Sequence, residues 1–139
     1  MVTDTTKVTG ARRPTHAGGV VYRRRNGTAE FLLVTSSRDP SQWVLPKGRI
    51  EWNETPVDAA AREVEEESGV EALVQQPLGQ LAVRVRGQKQ RIDFFLMQGV
   101  REGPSSEERD VAWLPLDEAI SRVSYENVRE ILRRAASLL

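Results

Sequence analysis

Apolar residues in this chain fall into short strand-like runs, broken by one amphipathic stretch in the middle and closed by two more at the end. Residues 18–25 (GGVVYRRR) and 29–36 (AEFLLVTS) are rich in β-branched and aromatic side chains. They flank Asn26-Gly27, whose tolerance of positive φ predicts a tight antiparallel hairpin. A polar segment, 37–42, leads to a short strand over 43–46 (WVLP) that Pro46 ends, and residues 49–54 read as loop. Further strands are predicted over 71–74, 80–86 and 91–100, with a turn at 87–90, and a last one over 110–115 after the polar loop 101–109. Residues 116–122 and 126–138 close the chain as helices, the second with Val128, Ile131, Leu132 and Ala135 on one face.

The middle helix carries its own start and stop signals. Thr55 is placed to cap, Pro56 suits the first helical position, Asp58 complements the positive end of the dipole, and Gly69 is placed to end the helix in a left-handed cap. At about 100° per residue, Val57, Ala60, Ala61 and Val64 form an apolar arc, while Glu63, Glu66 and Glu67 gather on another. One face is expected to dock on a sheet and the other to present carboxylates. Strands interleaved with helices in this order give an α+β, three-layered α/β/α domain with a mixed sheet.

Composition narrows the chemistry. A chain of 139 residues with 39% hydrophobic content is the size of one domain, here residues 17–139, and residues 1–16 are expected as a flexible arm because they lack apolar content and period. No apolar run approaches the ~18 residues of a membrane span and no secretory signal is evident, so the expected location is cytoplasmic. The absence of cysteine excludes disulfides, thiolate metal sites and cysteine nucleophiles, and His16 is the only histidine. A formal net charge of zero gives no overall field for a nucleic acid polymer or a membrane, so any anion must be recognised by a local cluster.

Such a cluster lies within residues 48–70. Glutamates at i, i+3 and i+4 repel one another unless a cation or solvent intervenes. By charge pattern alone an acidic solvated face is the alternative. Carboxylates without histidine or cysteine suit a hard ion such as Mg²⁺, which shares its coordination with water and phosphate oxygens. Arg62, four residues before Glu66, is placed to hold a ligand carboxylate in its rotamer.

The spacing is more specific than the charge. Gly48, Glu54, Arg62, Glu63, Val64, Glu66, Glu67, Gly69 and Val70 occupy every specified position of the Nudix box. The chain therefore resembles the Nudix hydrolases, from about residue 17 to residue 119. The lead-in Trp43-Val44-Leu45-Pro46-Lys47-Gly48 and the closing WLPLDEA from Trp113 to Ala119 resemble the family as well. The resemblance implies an α/β/α sandwich with a loop-helix-loop catalytic element, and Mg²⁺- or Mn²⁺-dependent cleavage of a diphosphate linkage in a small molecule. It implies Glu63, Glu66 and Glu67 as metal ligands, with Glu63 or Glu67 activating water. Arg62 would orient the carboxylates, Glu54 would support the site, and Gly48 would supply a turn and a carbonyl for the metal. Relatives that draw one more acid from the loop before the last strand make Glu107 and Glu108 candidates for that role.

Substrate choice rests on residues outside the box. Lys47, Arg84, Arg86, Lys89 and Arg91 are candidates for gripping a polyanion, with Arg84 and Arg86 expected on one face of their strand. An exposed basic hairpin is the alternative. With Ser36 to Pro40 they resemble the diphosphoinositol polyphosphate phosphohydrolase branch, whereas Lys47 is also seen in dinucleoside polyphosphate hydrolases. Either substrate is therefore expected. A (d)NTP pyrophosphatase, or an idle Nudix-like module that senses a nucleotide or binds a protein, is the alternative. Trp52 is expected to cover the core edge or to stack on a base.

Overall fold

The computed structural model describes residues 12–139 in full and the backbone of residues 2–7. In chain order the elements are strands β1 (Val2–Lys7), β2 (His16–Arg25), β3 (Thr28–Thr35), β4 (Trp43–Val44) and β5 (Lys47–Arg49), then helix α1 (Pro56–Ser68). Strands β6 (Val70–Val85), β7 (Gln88–Glu102) and β8 (Val111–Pro115) follow, and helices α2 (Leu116–Arg122) and α3 (Glu126–Ser137) close the chain.

The strands form one mixed sheet in the order β1-β6-β7-β2-β3-β4, with β5 added on β2 and β8 on β3. Only the β2–β7 pair is parallel among these pairings. Central strands are buried on both faces, which is why β2 and β3 read as unbroken apolar runs. Val20 and Leu33 face one core with Phe94, Leu81, Ile131, Leu132 and Ala135, covered by α2 and α3. Their chain neighbours Val21 and Leu32 face the other, with Met97, Phe95, Ala60 and Val64, covered by α1. The α/β/α layering expected from the element order is thus what the chain adopts.

Helix α1 begins and ends where its signals lie. The Thr55 Oγ1 accepts from the Asp58 N–H at 3.1 Å, a cap worth about 1 kcal/mol. Gly69 takes φ 77°, and a Cβ there would meet the Gly103 carbonyl oxygen at 2.0 Å. The buried stripe is rotated from the expected one: Ala59, Ala60 and Val64 are fully buried, whereas Val57 is exposed. That rotation carries Glu67, three residues after Val64, onto the buried side.

Val2–Lys7 pairs antiparallel with β6, and His16 opens β2 opposite Arg49 and Ile92. Other expectations are corrected. Arg49, expected to open the loop 49–54, instead ends β5, whose Lys47, Gly48 and Arg49 pair with Gly18, Ala17 and His16. The two strands expected between 71 and 86 are one, β6, because register shifts at Glu71/Ala72, Val74/Gln76 and Pro77/Gly79 let it follow β7 throughout. The turn that joins β6 to β7 is Arg86-Gly87, whose φ values of 51° and 79° nearly repeat the 52° and 81° of Asn26-Gly27. Arg86 therefore lies beyond the strand and does not share a face with Arg84. Among the described residues no helix is long and apolar enough to cross a membrane.

Candidate active site

Glu63 and Glu67 lie one turn apart on α1, and the loop after β7 brings Glu107 to them. Two ties hold that loop over the end of the helix, Gly103 N–H to the Gly69 carbonyl at 2.8 Å and Ser106 Oγ to the Glu66 carbonyl at 3.3 Å, and a third, Asp110 N–H to Thr35 Oγ1 at 3.0 Å, fixes its far end to β3. Carboxylate oxygens of Glu63, Glu67 and Glu107 come within 4.8 Å of one another. Glu66 stands outside this trio, partly exposed and held by Arg62, and Glu108 is exposed.

Arg62 organises the acids. Its Nε and Nη2 donate to both oxygens of Glu54 at 2.6 and 2.9 Å, its Nη1 to Glu63 at 3.0 Å and Glu66 at 3.2 Å, and its Nη2 also to the Arg49 carbonyl at 3.1 Å. One planar fork thus fixes three carboxylates and the end of β5. The hydrogen bonds from Arg62 hold the Glu54 carboxyl below its usual range, and those carboxylates, Glu54 foremost, raise the guanidinium pKa in turn. Gly48 faces Glu63 directly, since a Cβ there would lie 2.1 Å from its carboxyl carbon.

Glu67 is the acid most removed from water. Burial pushes its pKa up to about 8 against the pull of Arg109, and the charges of Glu63 and Glu107 push the same way as burial. It accepts the Lys47 N–H at 3.3 Å and lies 3.5 Å from Arg109 Nη1. A carboxylate trio without nitrogen or sulfur donors, held in a site that disfavours an uncompensated negative charge, fits a hard divalent cation.

Arg109 and Lys47 also border the trio. Arg109 bonds Glu107 at 2.8 Å and the Thr35 carbonyl at 3.2 Å. The Lys47 ammonium has its pKa lowered chiefly by burial, with Arg38 and Arg109 adding to that effect and Glu67 opposing it. Arg109 and Arg38 are not legible as site residues in the sequence. Arg109 is one of several charges in the run EERD, and only the fold of its loop aims it at Glu67. Of the basic hairpin, Arg84 alone lines the adjoining cavity, and its guanidinium donates to the Gly87 carbonyl at 2.9 Å. Lys89 lies opposite Arg84 in the ladder, and Arg91 opposite Ala82, with Arg91 also bonded through its backbone to Thr15. Trp52 is 94% exposed and covers no part of the core.

That cavity, about 220 Å³, opens beside Lys47 between β4, the β6–β7 hairpin and the α2–α3 junction. Trp43, Val83, Val85, Phe94, Tyr125 and Val128 contribute to its walls.

Known proteins are similar to this chain in sequence and fold. The NUDIX domain profile matches residues 12–135. The chain is 34% identical over 129 residues to an 8-oxo-(d)GTP phosphatase of Mycolicibacterium smegmatis, covering 85% of this chain and 40% of that protein. It is 54% identical over 50 residues to diphosphoinositol polyphosphate phosphohydrolase 2 of Rattus norvegicus, covering 36% of this chain and 28% of that one. The chain thus spans less than half the length of these two relatives. A solved structure of a C. elegans Ap4A hydrolase binary complex superposes with a TM-score of 0.80 at 26% identity, covering 91% of this chain and 97% of that chain. With its box folded into an acid cluster at the end of a matching sandwich, this chain belongs to the NUDIX family and carries the domain of a hydrolase acting on pyrophosphate bonds.

Proposed function

We propose that this chain cleaves a P–O–P linkage in a small polyanionic molecule, a dinucleoside polyphosphate or a diphosphoinositol polyphosphate, with Mg²⁺ or Mn²⁺. The observation that carries this reading is the convergence of Glu63, Glu67 and Glu107 oxygens within 4.8 Å. Those residues would hold the metal, Gly48 would offer its carbonyl, and Glu66 would join through its bond with Arg62. A bound divalent ion supplies charge neutralisation on the phosphoryl oxygens and lowers the pKa of water. Arg62 keeps the Glu54, Glu63 and Glu66 carboxylates in fixed rotamers, so little reorganisation is needed when charge develops. Glu63 or Glu67 accepts the proton of the attacking water, and Lys47 meets a phosphate as a point charge. Arg84, Lys89 and Arg91 add positive charge along the hairpin that a long polyanion would cross.

Similarity to the 8-oxo-(d)GTP phosphatase favours a second reading, a (d)NTP pyrophosphatase using the same acids. A panel of diphosphates incubated with Mg²⁺, reading phosphate and mononucleotide release, separates the substrates. Glu63→Gln and Glu67→Gln are expected to reduce kcat by at least about two orders of magnitude. Unchanged turnover in both variants would refute the assignment.

A further inference from the structure

Two arginines touch the acid trio, Arg62 from α1 and Arg109 from the loop before β8. Arg62 Nη1 donates to Glu63 Oε2 at 3.0 Å. Arg109 takes the other two acids: its Nε donates to Glu107 Oε1 at 2.8 Å, its Nη2 lies 2.8 Å from the same oxygen, and its Nη1 lies 3.5 Å from Glu67 Oε1. That Glu67 oxygen also accepts the Lys47 N–H at 3.3 Å. Each acid thus has one oxygen engaged, and among the described residues Glu63 Oε1, Glu67 Oε2 and Glu107 Oε2 accept no hydrogen bond. A carboxylate with one oxygen tethered and the other open is oriented and still able to bind, which is what a metal ligand requires of its neighbours.

Glu107 is the acid that most needs such a tether. Its side chain is 37% exposed, against 12% for Glu63 and 3% for Glu67, so packing does little to restrict its rotamers. Its backbone is fixed independently, the carbonyl accepting the Ser105 hydroxyl at 2.6 Å and the Arg109 N–H at 3.1 Å. The orientation of the side chain falls to the Arg109 guanidinium, which is itself largely buried and anchored on β3, where Nη1 donates to the Thr35 carbonyl at 3.2 Å. A lysine would keep the charge at this place but could not join Thr35, Glu67 and Glu107 through one planar group. The alternative, a guanidinium that merely fills the place of a metal and is expelled by it, accounts neither for the anchor on Thr35 nor for the open oxygen on each acid.

We propose that Arg109 is a positioning residue, a second clamp beside Arg62 that turns the loop acid Glu107, together with Glu67, toward Glu63 and so completes the metal-binding set. That a metal binds here rests on the proposed hydrolytic role of the acid trio. The orientation of Glu107 by Arg109 rests on the loop geometry alone.

The test titrates Mn²⁺ by calorimetry into wild type, Arg109→Lys, Arg109→Gln, Glu107→Gln and the double variant Arg109→Lys with Glu107→Gln. Hydrogen exchange at the Gly103 and Asp110 amides is followed in parallel without metal. Arg109→Lys is expected to weaken Mn²⁺ binding about 10- to 100-fold, the usual loss of an orienting partner, and Arg109→Gln at least as much. In the Glu107→Gln background the lysine substitution should cost no more than about threefold, because the ligand it orients is gone. The Gly103 and Asp110 N–H groups dock the loop on Gly69 and Thr35, and their exchange in Arg109→Lys should stay within about threefold of wild type. Wild-type Mn²⁺ affinity in Arg109→Lys, tighter binding in Arg109→Gln, a loss of equal size in both backgrounds, or no Mn²⁺ binding by wild type overturns the proposal. Lost protection at both amides overturns it as well, since Arg109 would then dock the loop rather than orient an acid. Should wild type bind Mn²⁺ and cleave no diphosphate, while the Arg109→Lys loss is seen and vanishes with Glu107, the hydrolytic reading fails and the clamp stands. Should wild type cleave a diphosphate while Arg109→Lys binds Mn²⁺ as tightly as wild type, the clamp fails and the hydrolytic reading stands.

Discussion

The Glu63 carboxylate occupies the space that a side chain on Gly48 would need: a Cβ built there lies 2.1 Å from the carboxyl carbon and 2.3 Å from both oxygens. Gly48→Ala is therefore expected to displace Glu63 while leaving the fold intact, because the obstructing atoms are the free end of a side chain. Misplacing a metal-binding carboxylate by about 1 Å can cost on the order of 100-fold in rate. Turnover should fall by that order while the urea midpoint changes little. A loss of stability without a loss of turnover would refute the role given to this contact.

Arg62 fixes Glu54, Glu63 and Glu66 with one guanidinium. Arg62→Lys keeps the charge but cannot reproduce the fork. Metal affinity and kcat/KM should each fall about 10- to 100-fold, the usual consequence of removing a partner that orients ligands. Calorimetric titration with Mn²⁺ checks the first and steady-state kinetics the second. A lysine variant with wild-type affinity would show that the three carboxylates need no such tether.

Glu66 lies outside the trio formed by Glu63, Glu67 and Glu107. Glu107→Gln is expected to weaken Mn²⁺ binding more than Glu108→Gln, since Glu108 is exposed and apart from the trio. Glu66→Gln is expected to fall between them, through its bond with Arg62. Titration of the three variants gives the order directly, and equal affinities for the Glu107 and Glu108 variants would contradict the geometry.

His16 opens β2, nearly buried, with its Nδ1 2.7 Å from Thr15 Oγ1. Burial, then the charges of Lys47 and Arg49, lower its pKa from 6.5 to about 4. The unfolded chain thus takes up the proton first, and stability rises with pH wherever the unfolded state binds more protons. The contribution of neutral His16 is fully present above pH 6.5 and is lost as pH falls from 6.5 to about 4. Urea unfolding at about pH 7.5 and about pH 5 should show a larger loss in wild type than in His16→Gln. Equal losses would assign the pH dependence to other groups.

Helix α1 shows what local chemistry can specify. Thr55, Pro56 and Gly69 set its ends because capping and left-handed backbone act within a few residues. The Asn26-Gly27 hairpin is legible for the same reason, whereas the box acids are singled out by their resemblance to the Nudix pattern. The second hairpin is legible too, but its turn, expected over 87–90, lies at Arg86-Gly87, because Arg86 does not advertise positive φ. The register Val85↔Gln88 imposes it, with Gly87 supplying the other turn position.

The amino-acid sequence by itself thus determined the strands buried on two sides, the capped helix and the spacing of its carboxylates, all properties of near neighbours along the chain. Tertiary structure decided the rest. It turned Glu67 inward with Ala60 and Val64, drew Glu107 rather than Glu108 to the helix, and set Lys47 and Arg109 against the same carboxylate. The placement of Glu107 and Arg109 goes with the ties from Gly103 to Gly69 and from Asp110 to Thr35, contacts between residues far apart in the chain whose partners no local pattern encodes.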